Sequence, residues 1–167
     1  MICAIVTADK NWGIGKNGKQ ITVIPDDVRY IRATTTGQTV IMGRKTYESI
    51  PHGQIPVNRN NIVLTKSTGL KPENSITASS VEEAIRIGRE NKNDIYILGG
   101  GSVFRQMISY ADEIQVTSID YSYDADTFFP NIDKMPEWVL IERSEEQTHF
   151  DTVYFLKRYL RRTDYRA

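Results

Sequence analysis

The sequence predicts an α/β layered fold built on a mainly parallel sheet. Three observations carry that reading. Short, nearly all-apolar runs recur along the 167 residues, as strands buried on both faces require. They alternate with segments of helical periodicity, the order that folds into parallel strands crossed over by helices. Three of the runs, those ending at Met42, Leu64 and Leu98, lead into turns carrying Gly, Thr, Lys or Arg. Ligands in such sheets bind at the carboxyl ends of strands. Three anion-friendly strand ends therefore point to one phosphate-bearing ligand draped over them.

The first strand is Ile2 to Ala8. Gly13-Ile14-Gly15-Lys16-Asn17-Gly18 follows and spells G-x-G-x-x-G. It is not a dinucleotide fingerprint, because no helix opens at its glycines to receive a pyrophosphate. The next residues are β-branched and end at Pro25. Residues 13 to 23 thus read as a long mobile loop, a lid over the sheet edge. Pro25 at the first helical position, with Asp26 and Asp27 behind it, opens a helix to about Thr35. Gly37 stops it. At about 100° per residue, Ile24, Val28, Ile31 and Thr35 share one face. Asp26 points to water. Asp27 falls at the edge of the apolar stripe, where a partly buried carboxylate needs a partner. The alternative is a plain first-turn acid favoured by the helix dipole.

Thr39 to Met42 is a strand that runs into a helix through Ile50. Gly43, Arg44, Lys45 and Thr46 open that helix, so free N–H groups, the helix dipole and two cations converge on an anion site. Cations at a helix N-terminus oppose the dipole, which speaks against a merely solvated first turn. The G-x-x-x-x-G-K-[ST] frame is missing, so this is not a Walker A motif. Pro51 to Asn58 is a loop. Asn61 to Thr65 is a strand ended by Lys66, and Ser75 to Ala78 is a short one. Ser80-Val81-Glu82-Glu83 reads as a capping box, with Val81, Ala84, Ile85 and Gly88 on one face of its helix.

Asp94 to Leu98 is a strand that meets Gly99-Gly100-Gly101 and then a helix from Ser102 to about Tyr110. Three glycines let a ligand approach the backbone, where a plain turn needs one. Glu113 to Ile119 is a strand. Trp138 to Glu142 and Thr152 to Tyr159 form an antiparallel pair at a sheet edge, joined by a polar turn over Ser144 to His149.

Composition narrows the function classes. Hydrophobic residues make up 40% and charged residues 25% of the chain, an ordinary globular balance that suits one domain. Lys and Arg number 21 and Asp and Glu number 21. Zero net charge argues against nucleic-acid binding by bulk charge. The basic stretch Lys157 to Arg162 reads as a solvated chain end. Cys3 is the only cysteine and lies in an apolar run, so it is a buried residue with no disulfide. With His52 and His149 it makes no zinc-type cluster. No leader-like segment and no membrane-length apolar run is present, and a cytoplasmic, soluble protein is expected. Gly101-Ser102-Val103-Phe104 lacks the closing glycine of a serine-hydrolase elbow.

The blocks Trp12-Gly13-Ile14-Gly15, Pro25-Asp26-Asp27, Val40 to Ile50, Arg59-Asn60-Asn61, Leu98-Gly99-Gly100-Gly101 and Asp126-Thr127-Phe128-Phe129-Pro130 follow one another in a familiar order and spacing. Together they make the chain resemble the dihydrofolate reductase family over nearly its whole length. The resemblance implies a three-layer α/β fold in one domain over residues 1–167. Its sheet is mixed, mainly parallel and eight-stranded, with four main helices and a C-terminal antiparallel edge strand. It implies NADPH-dependent reduction of 7,8-dihydrofolate to tetrahydrofolate by a cytoplasmic monomer, with no metal.

The catalytic set implied by the resemblance is Asp27, Thr22 and Thr117. Asp27 binds the 2-amino group and N3 of the pterin, and its charge favours protonation at N5. Thr117 supports that carboxylate. Ile5, Val28, Ile31, Ser49, Ile50, Ile55 and Leu98 line the folate pocket. Arg59 grips the α-carboxylate of the glutamate tail, a bidentate task that suits Arg better than Lys. Arg44, Thr65 and Lys66 meet the 2′-phosphate of NADPH. Lys45, Thr46, Gly100, Gly101, Ser102 and Val103 hold its pyrophosphate. Thr7, Ile14, Gly15, Gly18, Lys19, Gly43, Gly99 and Phe104 complete the cofactor set, and Gly99-Gly100 carries the family's cis peptide.

One departure from the family lies in the lid. The usual Leu-Pro-Trp is replaced by Gln20-Ile21-Thr22. A small hydroxyl side chain stands where a large indole normally reaches substrate through water. Altered turnover or inhibitor binding is expected, with the reaction retained. Two other readings remain. One is a same-fold reductase of a pyrimidine in riboflavin synthesis, against which Asp27, Ile31 and Arg59 speak. The other is a non-catalytic NADPH-binding relative, favoured only by the lid.

Overall fold

The computed structural model describes residues 1–163. In chain order the strands and helices are β1 (Ile2–Ala8), β2 (Gly13–Lys16), β3 (Lys19–Gln20), α1 (Pro25–Thr35), β4 (Thr39–Gly43), α2 (Arg44–Ser49), β5 (Asn60–Leu64), β6 (Ile76–Ala78), α3 (Val81–Glu90), β7 (Ile95–Gly99), α4 (Gly101–Met107), β8 (Glu113–Ile119), β9 (Thr127–Phe128), β10 (Trp138–Arg143), β11 (Gln147–His149) and β12 (Thr152–Arg161). Eight strands run side by side in the order β10-β12-β8-β1-β7-β4-β5-β6, and β11 adds a ninth by pairing with β12. The strands from β8 to β6 pair in parallel. All three pairings of β12 are antiparallel.

Alternation along the strands produces the three layers. Cys3 and Ile5 of β1 pack with Val40, Met42, Val63 and Tyr96 on one face, against Ile31 and Ile50. Ile2, Ala4, Val6 and Ala8 point the other way, into a core with Ile41, Ile62, Ile97, Ala84, Ile85, Phe104 and Met107. Fully buried isoleucines such as Ile41, Ile62 and Ile97 each contribute about 1.5–3 kcal/mol by leaving water. No helix among the described residues is long and apolar enough to cross a membrane.

Four local expectations differ from the structure. Residues 13 to 23 are not a plain loop: β2 pairs with β3 and with β9 in a separate three-stranded sheet. That pairing reaches across more than a hundred residues and leaves no local periodicity. Gly13 permits it, because a Cβ there would lie 2.6 Å from the Ala125 Cβ. Asp9, 3% exposed, clamps the base of the segment by accepting from the backbone N–H groups of Asn11, Gly13 and Tyr123.

The buried stripe of α1 is also rolled from the expected one. Ile24 (1% exposed), Asp27 (6%) and Thr35 (0%) face inward, whereas Val28 is 44% exposed. A helix face is chosen by all its partners together, and Asp27 finds its partners on the sheet. The turn at 144–149 holds β11. In the capping box, Ser80 accepts from the Glu83 N–H as expected, but the Glu83 carboxylate reaches the backbone N–H and hydroxyl of Ser79.

Candidate active site

Asp27 sits in the first turn of α1, behind Pro25. Ile24 anchors that turn by packing against Ile119 and Tyr154. The Thr117 hydroxyl donates to Asp27 Oδ1 at 2.6 Å. The Thr7 hydroxyl donates to Oδ2. Thr7 and Thr117 are direct register partners on β1 and β8. Two neighbouring strands thus present one hydroxyl to each carboxylate oxygen. Thr117 lies where the sequence reading placed it. Thr7, which the resemblance places among the cofactor contacts, gives its hydroxyl to the carboxylate in this structure. The signal available for it was parity: Thr7 shares a strand face with Cys3 and Ile5, the face that looks at α1.

The carboxylate has no ion-pair partner among the described residues. Its two hydrogen bonds use about half of its acceptor capacity. A buried anion so arranged suits a ligand that brings N–H donors or positive charge.

At the other end of α1 stands Arg59. Its Nε donates to Asn61 Oδ1 at 2.7 Å and a terminal nitrogen donates to Thr35 Oγ1 at 3.0 Å. Both acceptors are neutral. Burial, and then the nearby Arg32, lower its pKa to about 10. Asp27 and Thr35 are eight residues apart, roughly 12 Å along the helix. The two charges therefore bracket an apolar floor formed by Ile5, Ile31, Ile50 and Leu98. Ile55 is buried beside it. Ser49 is turned back onto its own helix, its hydroxyl donating to the Thr46 carbonyl at 2.6 Å. A hollow of about 480 Å³ lined by Tyr47, Ile50, His52 and Ile55 continues this surface. A second, about 590 Å³, lies by Ala8, Val116 and Ser118 on the opposite face of β1 and β8 and does not include Asp27.

The strand ends of β4 and β7 adjoin each other, and the turns after them pack closely. The Gly99–Gly100 peptide is cis. A Cβ on Gly43 would lie 2.9 Å from Val103, one on Gly99 2.6 Å from Phe104, and one on Gly101 2.6 Å from Thr127. Gly100 differs, since a Cβ there meets only Thr46 Oγ1, at 3.6 Å. Val103 and Phe104 are buried in the core, and their side chains wall the glycine turn. Ser102 is exposed and accepts from Gln106. Arg44 pairs with Glu48 at 2.7 Å. Lys45 and Lys66 are exposed with no ion-pair partner among the described residues. Thr65 accepts from the Ser67 N–H at 3.1 Å.

The lid is tied down at its tip. Asp126 accepts from the Asn17 N–H at 2.9 Å and donates its own N–H to the Gly15 carbonyl at 3.0 Å. The Asn17 N–H first, and then the Thr127 hydroxyl, hold the Asp126 carboxyl below its usual range. Ile14 is half-buried, while Gly18 and Lys19 are exposed at the hairpin turn. Thr22 is half-buried between β3 and α1, and its hydroxyl has no partner among the described residues.

A mainly parallel sheet with cation-bearing glycine turns over adjacent strand ends, and a buried carboxylate in the adjoining cleft, defines a nucleotide-binding α/β protein. A family model described as dihydrofolate reductase matches residues 1–161. The chain belongs to the dihydrofolate reductase family. A dihydrofolate reductase from Haemophilus influenzae is 35% identical over 156 residues, covering 91% of this chain and 94% of that protein. One from Neisseria meningitidis is 34% identical over 163 residues, covering 96% and 98%. The structure of dihydrofolate reductase from Enterococcus faecalis complexed with NADP(H) and RAB-propyl superposes with a TM-score of 0.86 at 29% identity, covering 96% of both chains.

Proposed function

We propose that this chain reduces 7,8-dihydrofolate to tetrahydrofolate with NADPH. The observation that carries the reading is the Asp27 carboxylate, bonded to Thr7 and Thr117 with no ion-pair partner among the described residues, in a chain of this family. The residues present fit the cofactor. Gly100 leaves space beside Thr46, and Lys45 and Lys66 have charge to spare for phosphates. Arg44, Thr65 and Lys66 would hold the 2′-phosphate. Lys45 and Thr46, with the backbone of Gly100, Gly101, Ser102 and Val103, would hold the pyrophosphate. NADPH supplies the hydride that is delivered to C6 of the pterin.

The protein's part is positioning and electrostatics. Asp27 accepts hydrogen bonds from the pterin's 2-amino group and N3. Its charge favours a proton at N5, which makes C6 the better hydride acceptor. Thr7 and Thr117 keep both carboxylate oxygens in place while this happens. Ile5, Val28, Ile31, Ile50, Ile55 and Leu98 sandwich the ring and exclude water. Arg59, held by neutral partners, takes the α-carboxylate of the tail. Thr22 meets the pterin side of the cleft from the lid. We read residues 1–167 as one domain acting as a cytoplasmic monomer, and the continuous main sheet supports the first part of that reading.

The test is direct. Protein mixed with NADPH and dihydrofolate is expected to deplete NADPH absorbance and yield tetrahydrofolate. No depletion, with NADPH binding intact, would remove this function. Replacing Thr22 by Trp is expected to change turnover or dihydrofolate affinity, and no change in either would show that the lid residue does not meet the pterin.

A further inference from the structure

Helix α1 meets β8 at more than the carboxylate. Glu113, Gln115 and Thr117 alternate along β8 and so share the face turned to α1. Asp27 and Tyr30 lie three apart on the helix, on adjacent turns of one side. Thr117 meets Asp27. One step along the strand, the Tyr30 phenol donates to Gln115 Oε1 at 2.6 Å. Gln115 Nε2 donates to Glu113 at 3.1 Å. Glu113 is 3% exposed and is gripped by Arg158 of β12, at 2.6 Å from Nε and 2.5 Å from a terminal nitrogen. Arg158 also donates to Glu142 of β10 at 3.1 Å.

This chain of contacts has one direction. A carboxylate only accepts, so the Gln115 amide nitrogen must face Glu113 and its carbonyl must face Tyr30. The phenol is then the donor. Three strands are thereby linked, through a fixed sequence of donors, to the turn of α1 next to Asp27. The Thr7 and Thr117 contacts hold α1 at one residue, Asp27, near its start. A contact at a second residue, a turn further on, opposes rolling of the helix about the first.

We propose that Tyr30 and Gln115, backed by the Glu113–Arg158 pair, are positioning residues for the Asp27 carboxylate. The inference rests on the reading of Asp27 as the pterin-binding group. Tyr30→Phe removes only the hydroxyl. It is expected to lower the single-turnover hydride-transfer rate and kcat roughly three- to tenfold, with the KM for NADPH unchanged. Gln115→Met breaks the same chain at its next member and is expected to give the same pattern.

In an Asp27→Asn background, Tyr30→Phe is expected to add no further loss, because the group it positions is gone. A merely stabilising role would lower the melting temperature and leave these rates alone. Parental rates in both Tyr30→Phe and Gln115→Met, or an equal fold-loss with and without Asp27, would overturn the inference and leave the role of Asp27 standing. Full activity of Asp27→Asn alone would overturn that role, and the inference with it.

Discussion

Thr117 and Asp27 stand 90 residues apart in the chain and 2.6 Å apart in the fold. The bond joins the first turn of a helix to a central strand and fixes one oxygen of a buried carboxylate. Thr117→Val keeps the shape and removes the donor. It is expected to cost about 1–3 kcal/mol in denaturant unfolding and to slow hydride transfer. Asp27→Asn is expected to lower hydride transfer roughly 100-fold at neutral pH. Single-turnover kinetics check both, and an Asp27→Asn protein of parental speed would remove Asp27 from the reaction.

Arg59 is a half-buried cation whose partners, Thr35 and Asn61, are neutral. Such a charge gains from an incoming carboxylate. Arg59→Lys is expected to raise the KM for dihydrofolate roughly tenfold, since one ammonium cannot replace a two-pronged grip. It is expected to leave kcat within about threefold. A reduced pterin without the glutamate tail serves as the control, and both proteins should bind it alike.

Gly100 separates folding from cofactor binding. An added methyl there meets only Thr46 Oγ1, at 3.6 Å, so Gly100→Ala is expected to melt at the parental temperature. The same methyl enters the space assigned to NADPH, and the Kd for NADPH is expected to rise at least about tenfold. Calorimetric titration measures it. Unchanged affinity would place the cofactor elsewhere.

Asp126 holds the lid through Asn17 and Gly15. Asp126→Ala is expected to speed hydrogen exchange at the Asn17 amide and to change turnover, with little effect on exchange in β1. The Asp126 carboxyl is held below its ordinary range, so the tether is present above that range and is lost as pH falls through its lowered value. Exchange at Asn17 that ignores the substitution would show that the tether does not restrain the lid.

Cys3 is completely buried, and burial, then the charge of Glu113, pushes its thiol pKa up. The unfolded chain releases this proton near pH 8.5, whereas the folded one keeps it. The unfolded state then binds fewer protons, so stability falls as pH rises above that point, by up to about 1.4 kcal/mol per pH unit from this group. Chemical melts across the alkaline range are expected to show this slope, and Cys3→Ala is expected to flatten it.

Much of the architecture is legible without coordinates, for a local reason. Helix α1 spans Pro25–Thr35 and β8 spans Glu113–Ile119, as read from a proline, two acids and an apolar run. Each signal acts within one element. The roll of α1 was not legible, because Asp27 faces inward only when Thr7 and Thr117 are beside it. The strands of the lid were not legible either, because β2 pairs with β9 across a long stretch of chain.

The chain by itself determined the class of fold, the family and the identity of the carboxylate at the opening of α1. Periodicity, turn chemistry and a set of matching blocks are properties of neighbours in sequence. Only the tertiary structure decided that Thr7 joins Thr117 on Asp27, that Arg59 has neutral partners, and that Tyr30 is tied through Gln115 and Glu113 to Arg158. Each of these rests on at least one hydrogen bond between elements remote in the chain. The energy of such a bond depends on angles and distances of a few tenths of an ångström, which exist only once the sheet and the helix have packed.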